Sequence, residues 1–125
     1  MLGSCDLIAF VPTVDLVRAR SFYADRLGLS LIQQSEYACV FEVNGTMLRV
    51  TLVRTAPAAG YTILGWRVPD IAAAVIDLRG RGVVFERFES LTQDELGIWT
   101  TPDNSRVAWF KDPDGNTLSV TQFAG

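Results

Sequence analysis

The sequence predicts an α+β chain of two tandem βαβββ modules, and three observations carry that reading. Segments 8–16 and 63–71 align at a shift of 55, laying Asp15-Leu16 over Asp70-Ile71. Each pair opens an apolar run at helical spacing that halts at a glycine, Gly28 in the first module and Gly82 at nearly the same place in the second. Two turn signals, Asn44-Gly45 and Asp114-Gly115, stand at a shift of 70 and join alternating runs, as hairpins do. The larger shift places an insertion in the second module.

The elements follow in order. Residues 6–14 read as a buried strand. Asp15 then supplies an N-cap, Leu16, Ala19, Phe22, Tyr23 and Leu27 face the sheet, and Gly28 ends the helix. Strands follow at 30–34, 37–43 and 46–53, the last two joined through Asn44-Gly45. After "RTAPAAG" the pattern restarts with a strand at 61–68, a helix capped by Asp70, a strand near 83–87 and a closing hairpin over 106–123. The inserted segment 89–105 reads as a loop with a short strand at 97–101, placed to cover a pocket mouth. The whole chain, residues 1–125, is expected to be one domain, with modules at 6–54 and 61–123.

Composition excludes several function classes. With 49% hydrophobic and 20% charged residues the chain can bury a real core without a disulfide or a metal. No apolar run approaches the roughly 20 residues that span a bilayer, and Asp6 precedes the first apolar stretch, so the expectation is a cytoplasmic protein with no membrane partner. The net charge is −3 and the basic residues are scattered, which argues against nucleic acid. Cys5 and Cys39 fall in strand-like settings and read as buried free thiols. There is no histidine, which removes the commonest general base near neutral pH and the commonest transition-metal ligand.

The terminal run "FKDPDGNTLSVTQF" raises the first functional question. Its strand places Leu118 and Val120 on one face and Thr117, Ser119, Thr121 and Phe123 on the other. That second face fits either a cavity wall or a half-solvated edge strand.

Two such modules, opened by "VPTVDLVRARSFYADRLGL" and closed by "FKDPDGNTLSV", resemble the vicinal oxygen chelate superfamily, which includes glyoxalase I, extradiol dioxygenases and bleomycin-resistance proteins. The resemblance implies an eight-stranded, cup-shaped mixed sheet with the helices outside, and a homodimer. It also implies that the first and fourth strands of each module line the cup, where the metalloenzymes carry His, Gln or Glu. Those positions fall here on Ile8, Arg49, Ile63 and Ser119. Isoleucine has no donor atom, arginine repels a cation and a lone serine hydroxyl is too weak to hold one, so neither metal nor cofactor is expected.

With Ile8 facing the cup, strand parity adds Phe10 and Pro12, then Gly65 and Arg67 beside Ile63, Met47, Thr51 and Val53 beside Arg49, and Thr117 and Thr121 beside Ser119. Pairing across Asn44-Gly45 sets Val40 opposite Arg49 and Glu42 opposite Met47. Arg49 either pairs with Glu42 or receives an anionic ligand group, two readings that do not exclude each other, with Arg67 as a second cation. Trp66 and Trp109 fall on the opposite parity and read as core, whereas Trp99 is placed to stack on an aromatic ligand. The leading expectation is thus a metal-independent small-molecule-binding protein whose cup takes a small aromatic or anionic ligand. The alternative is a lyase, isomerase or dioxygenase-like enzyme using Glu42 as base and Arg49 to stabilise charge, or displaced metal ligands. Asp94 and Glu95 are the default loop carboxylates for such a base.

Overall fold

The computed structural model describes every residue from Met1 to Gly125. The chain forms two compact units, Met1–Pro57 and Ala58–Gly125, and each is a four-stranded mixed sheet with a helix on one face. The eight strands are therefore hydrogen-bonded as two sheets of four.

In the first unit, strands β1 (Ile8–Thr13), β2 (Ser30–Gln34), β3 (Ala38–Val43) and β4 (Thr46–Leu52) lie in the order β1-β4-β3-β2. Strands β1 and β4 are parallel and the other pairs antiparallel. Helix α1 (Leu16–Arg20) starts where Asp15 accepts a hydrogen bond from Arg18 N at 3.1 Å. It continues as a π-helical turn over Ser21–Arg26, closed by Leu27 N donating to Phe22 O. The wider turn narrows the angle between successive side chains, and both Phe22 and Tyr23 are buried. They meet a sheet face of Val11, Cys39, Phe41, Leu48 and Val50, with the Tyr23 and Phe41 rings 6.0 Å apart. Burial pushes the Cys39 thiol pKa up, and the nearby positive charge of Arg20 opposes that rise. Cys5, expected to be buried, is instead exposed after a short 3-10 turn at Leu2–Ser4, where no sheet covers it.

The second unit repeats this plan with β5 (Thr62–Arg67), helix α2 (Ile71–Gly80), β6 (Trp99–Thr100), β7 (Arg106–Lys111) and β8 (Thr117–Gln122) in the order β5-β8-β7-β6. Asp70 caps α2 through Ala73 N at 3.1 Å, the same bond at nearly the same backbone angles as at Asp15. Ile71 and Val75 of α2 are buried on the same side as Ala108, Phe110, Leu118 and Val120.

The strand expected at 83–87 is reduced to a single bridge, Phe85 to Phe110. The cause is Gln93, whose side-chain amide donates to Glu86 O and accepts from Phe88 N, taking backbone groups that a neighbouring strand would have used. Edge strand β6 pairs with β7 instead.

Candidate functional site

Each sheet has one face under its helix and one face away from it. In the first unit the residues facing away follow from register: Ile8 is opposite Met47, Phe10 opposite Arg49 and Pro12 opposite Thr51. Across the hairpin, Val40 lies opposite Arg49 and Glu42 opposite Met47, as expected from a two-residue turn with both Asn44 and Gly45 at positive φ. All seven first-unit candidates, Ile8, Phe10, Val40, Glu42, Met47, Arg49 and Thr51, therefore share this open face.

The face is apolar and partly wet. Phe10 is 64% exposed and Ile8 47% exposed, whereas Val40 is buried. Arg49 is half-buried, and its side chain makes no ion pair or hydrogen bond. The pairing with Glu42 does not form, because the Glu42 carboxylate instead accepts a hydrogen bond from Gly45 N and is held to the turn. Thr51 Oγ1 is buried with no hydrogen-bond partner. The first open face thus offers one unneutralised cation and one unused hydroxyl among apolar side chains.

In the second unit Gly65 lies opposite Ser119 and Arg67 opposite Thr121. The β5 register slips between Thr62 and Leu64, so Ile63 sits at a bulge and Thr62 stands opposite Thr117. Ser119 is buried, Thr121 is half-buried, and the Arg67 guanidinium lies 5.5 Å over the Phe123 ring.

Trp109 corrects the sequence reading: it pairs with Ser119 and belongs to the open face, while Trp66 pairs with Val120 and stacks on Phe110 in the core. The reason is the length of the closing turn. A two-residue turn at Asp114-Gly115 would set Trp109 opposite Val120, but the pairing starts at Lys111 and Thr117, and the one-residue change flips the face. The longer turn is organised by buried Asp112, whose carboxylate accepts from Asp114 N, Asn116 N and Asn116 Nδ2, each at 2.9 Å. Trp109 is then held by its Nε1 donating to Thr62 Oγ1 at 3.1 Å. Trp99 stacks against it at 6.0 Å, and Phe88 meets it edge-on at 5.4 Å.

The inserted loop is firmly tied. Arg87 donates to the carbonyls of Asp94 and Glu95, both at 2.6 Å, and Asp94 Oδ1 accepts from Leu96 N and Ile98 N. The Asp94 carboxylate is therefore occupied in shaping the loop. Glu95 lines a 350 Å³ cavity with Arg79, Phe85 and Leu96, and a 520 Å³ cavity beside Arg67 and Phe123 lies at the end of β8.

A metal does not fit these residues. In the first unit Ile8 and Arg49, and in the second Ile63 and Ser119, supply no set of anionic or imidazole donors. Nor do any three Cys, Asp or Glu side chains gather elsewhere.

A model of the Glyoxalase/Bleomycin resistance protein/Dioxygenase superfamily matches residues 6–120. No curated protein sequence matches the chain. Among solved structures, a glyoxalase/bleomycin resistance protein/dioxygenase from Alicyclobacillus acidocaldarius superposes with a TM-score of 0.75 at 20% identity, covering 98% of this chain and 93% of that one. A superfamily member from Sphaerobacter thermophilus DSM 20745 gives 0.75 at 23% identity, over 98% of this chain and 100% of that one. TnmS3, an antibiotic binding protein from Streptomyces sp. CB03234, gives 0.72 at 26% identity, over 97% of each chain.

Proposed function

The chain belongs to the Glyoxalase/Bleomycin resistance protein/Dioxygenase superfamily, and from that premise we propose that it binds a small aromatic or anionic molecule on its open sheet faces without using a metal. The observation that carries this reading is Arg49, a guanidinium with no carboxylate partner set among Ile8, Phe10 and Met47. Such a group is available to a carboxylate or phenolate, and the apolar side chains around it suit the rest of a small ligand. The likeness to an antibiotic binding protein supports binding as the activity. The enzymatic alternative gains nothing from Glu42, whose carboxylate is tied to the hairpin turn.

Isothermal titration against a panel of aromatic acids, metabolites and antibiotics tests the reading. At least one anionic member is expected to bind, and Arg49→Met to weaken it about tenfold or more while the fold is kept. No binding across the panel, or equal binding by the variant, would overturn it. A stoichiometric metal in untagged protein would overturn the metal-free part. The protein is further proposed to be a cytoplasmic homodimer: its two free cysteines, one exposed, suit a reducing compartment. Light scattering at micromolar concentration tests the dimer, and a monomer would contradict it.

A further inference from the structure

Glycine inside a strand weakens the sheet and commonly marks a place where another group comes close. Gly65 is such a residue, exposed in the middle of β5 on the open face of the second sheet. A Cβ built there would lie 2.8 Å from Ser119 Oγ, so any larger residue would collide with that hydroxyl and force it to shift. Ser119 is only 7% exposed, and its hydroxyl has no hydrogen-bond partner in the protein while keeping contact with solvent, so a ligand oxygen can take the place of water there. Beside it stands Trp109, tethered by the bond to Thr62 and with Trp99 stacked against it.

We infer that this notch, with Gly65 as floor, Ser119 Oγ as hydrogen-bond partner and Trp109 as wall, selects planar aromatic molecules that carry a hydroxyl or carbonyl oxygen at one edge. The inference rests on the proposed binding function and adds to it the shape and chemistry that the second sheet reads. Glycine gives a flat ring access to the backbone. The tryptophan pair offers it a stacking surface, and the serine hydroxyl discriminates by donating to or accepting from the edge oxygen.

The test follows the tryptophan indole N–H resonances of ¹⁵N-labelled protein during titration with 1-naphthol and, separately, with naphthalene. The Trp99 and Trp109 signals are expected to move with 1-naphthol and the Trp66 signal to stay, with naphthalene binding about tenfold more weakly. Gly65→Ala should weaken 1-naphthol about tenfold or more. Ser119→Ala, which adds no bulk and carries the test should Gly65→Ala misfold, should bring the two probes to equal affinity. No movement at millimolar 1-naphthol, or wild-type affinity in folded Gly65→Ala, would overturn the inference. Unchanged 1-naphthol binding in Gly65→Ala, with panel binding lost in Arg49→Met, would remove the notch and leave the proposed function standing.

Discussion

On the first sheet the face away from the helix shows Ile8, Phe10 and Met47 around the unpaired guanidinium of Arg49. The same face of the second sheet holds stacked Trp99 and Trp109 and a row of hydroxyls at Thr117, Ser119 and Thr121. The opposite faces are closely alike, with the same aspartate cap, the same parallel pairing of first and last strands, and buried Phe41 and Phe110 in the third strand of each repeat. Packing a helix on a sheet constrains volume and periodicity on one side only. The other side is free to differ in chemistry, and here one face is cationic and apolar while the other is aromatic and hydroxylated.

That contrast can be broken in several ways. The largest effect is expected where the units agree: Phe41→Ala and Phe110→Ala should each cost about 3–5 kcal/mol by denaturant unfolding. A small loss at either position would show that the two backs are not equivalent. Next come the hairpin turns, which differ in construction. Asp112→Ala removes three bonds, two of them buried, and should cost about 2–3 kcal/mol, whereas Gly45→Ala, strained only by a φ of 90°, should cost about 1 kcal/mol. A reversal of that order would contradict the role given to Asp112. On the first open face Phe10→Ser should change stability by no more than about 0.5 kcal/mol, since the ring is largely exposed.

The smallest effects concern pH and have opposite signs in the two units. Asp103 is held below the ordinary carboxylate range, first by the Thr101 hydroxyl and then by Ser105 N. Its stabilisation is present above that range and is lost as pH falls through the depressed value. Cys39, raised by burial, contributes stability below the ordinary thiol range that is lost as pH rises through its elevated value. Melting temperatures against pH for Asp103→Asn and Cys39→Ala should show flattening at the acid and alkaline ends respectively.

Local signals account for what the sequence made legible. Asp15, Asp70 and Asn44-Gly45 each act within four residues, and a two-residue turn sets register, so the pairing of Val40 with Arg49 could be counted in advance. Trp109 could not be placed that way, because the Asp112-centred turn spans five residues, 112–116, and shifts the pairing by one residue. The freedom of Arg49 was equally hidden: Glu42 stands on the correct face, and only the coordinates show its carboxylate turned to Gly45 N. The Gly65 notch needed a distance between neighbouring strands, which no periodicity encodes.

A crystal structure with the tightest-binding member of the titration panel tests the central claim most directly. Ligand density is expected on the open face of the first sheet, with an anionic oxygen within hydrogen-bond distance of Arg49. Density confined to the cavity beside Arg79 and Glu95, with Arg49 still unpartnered, would contradict it.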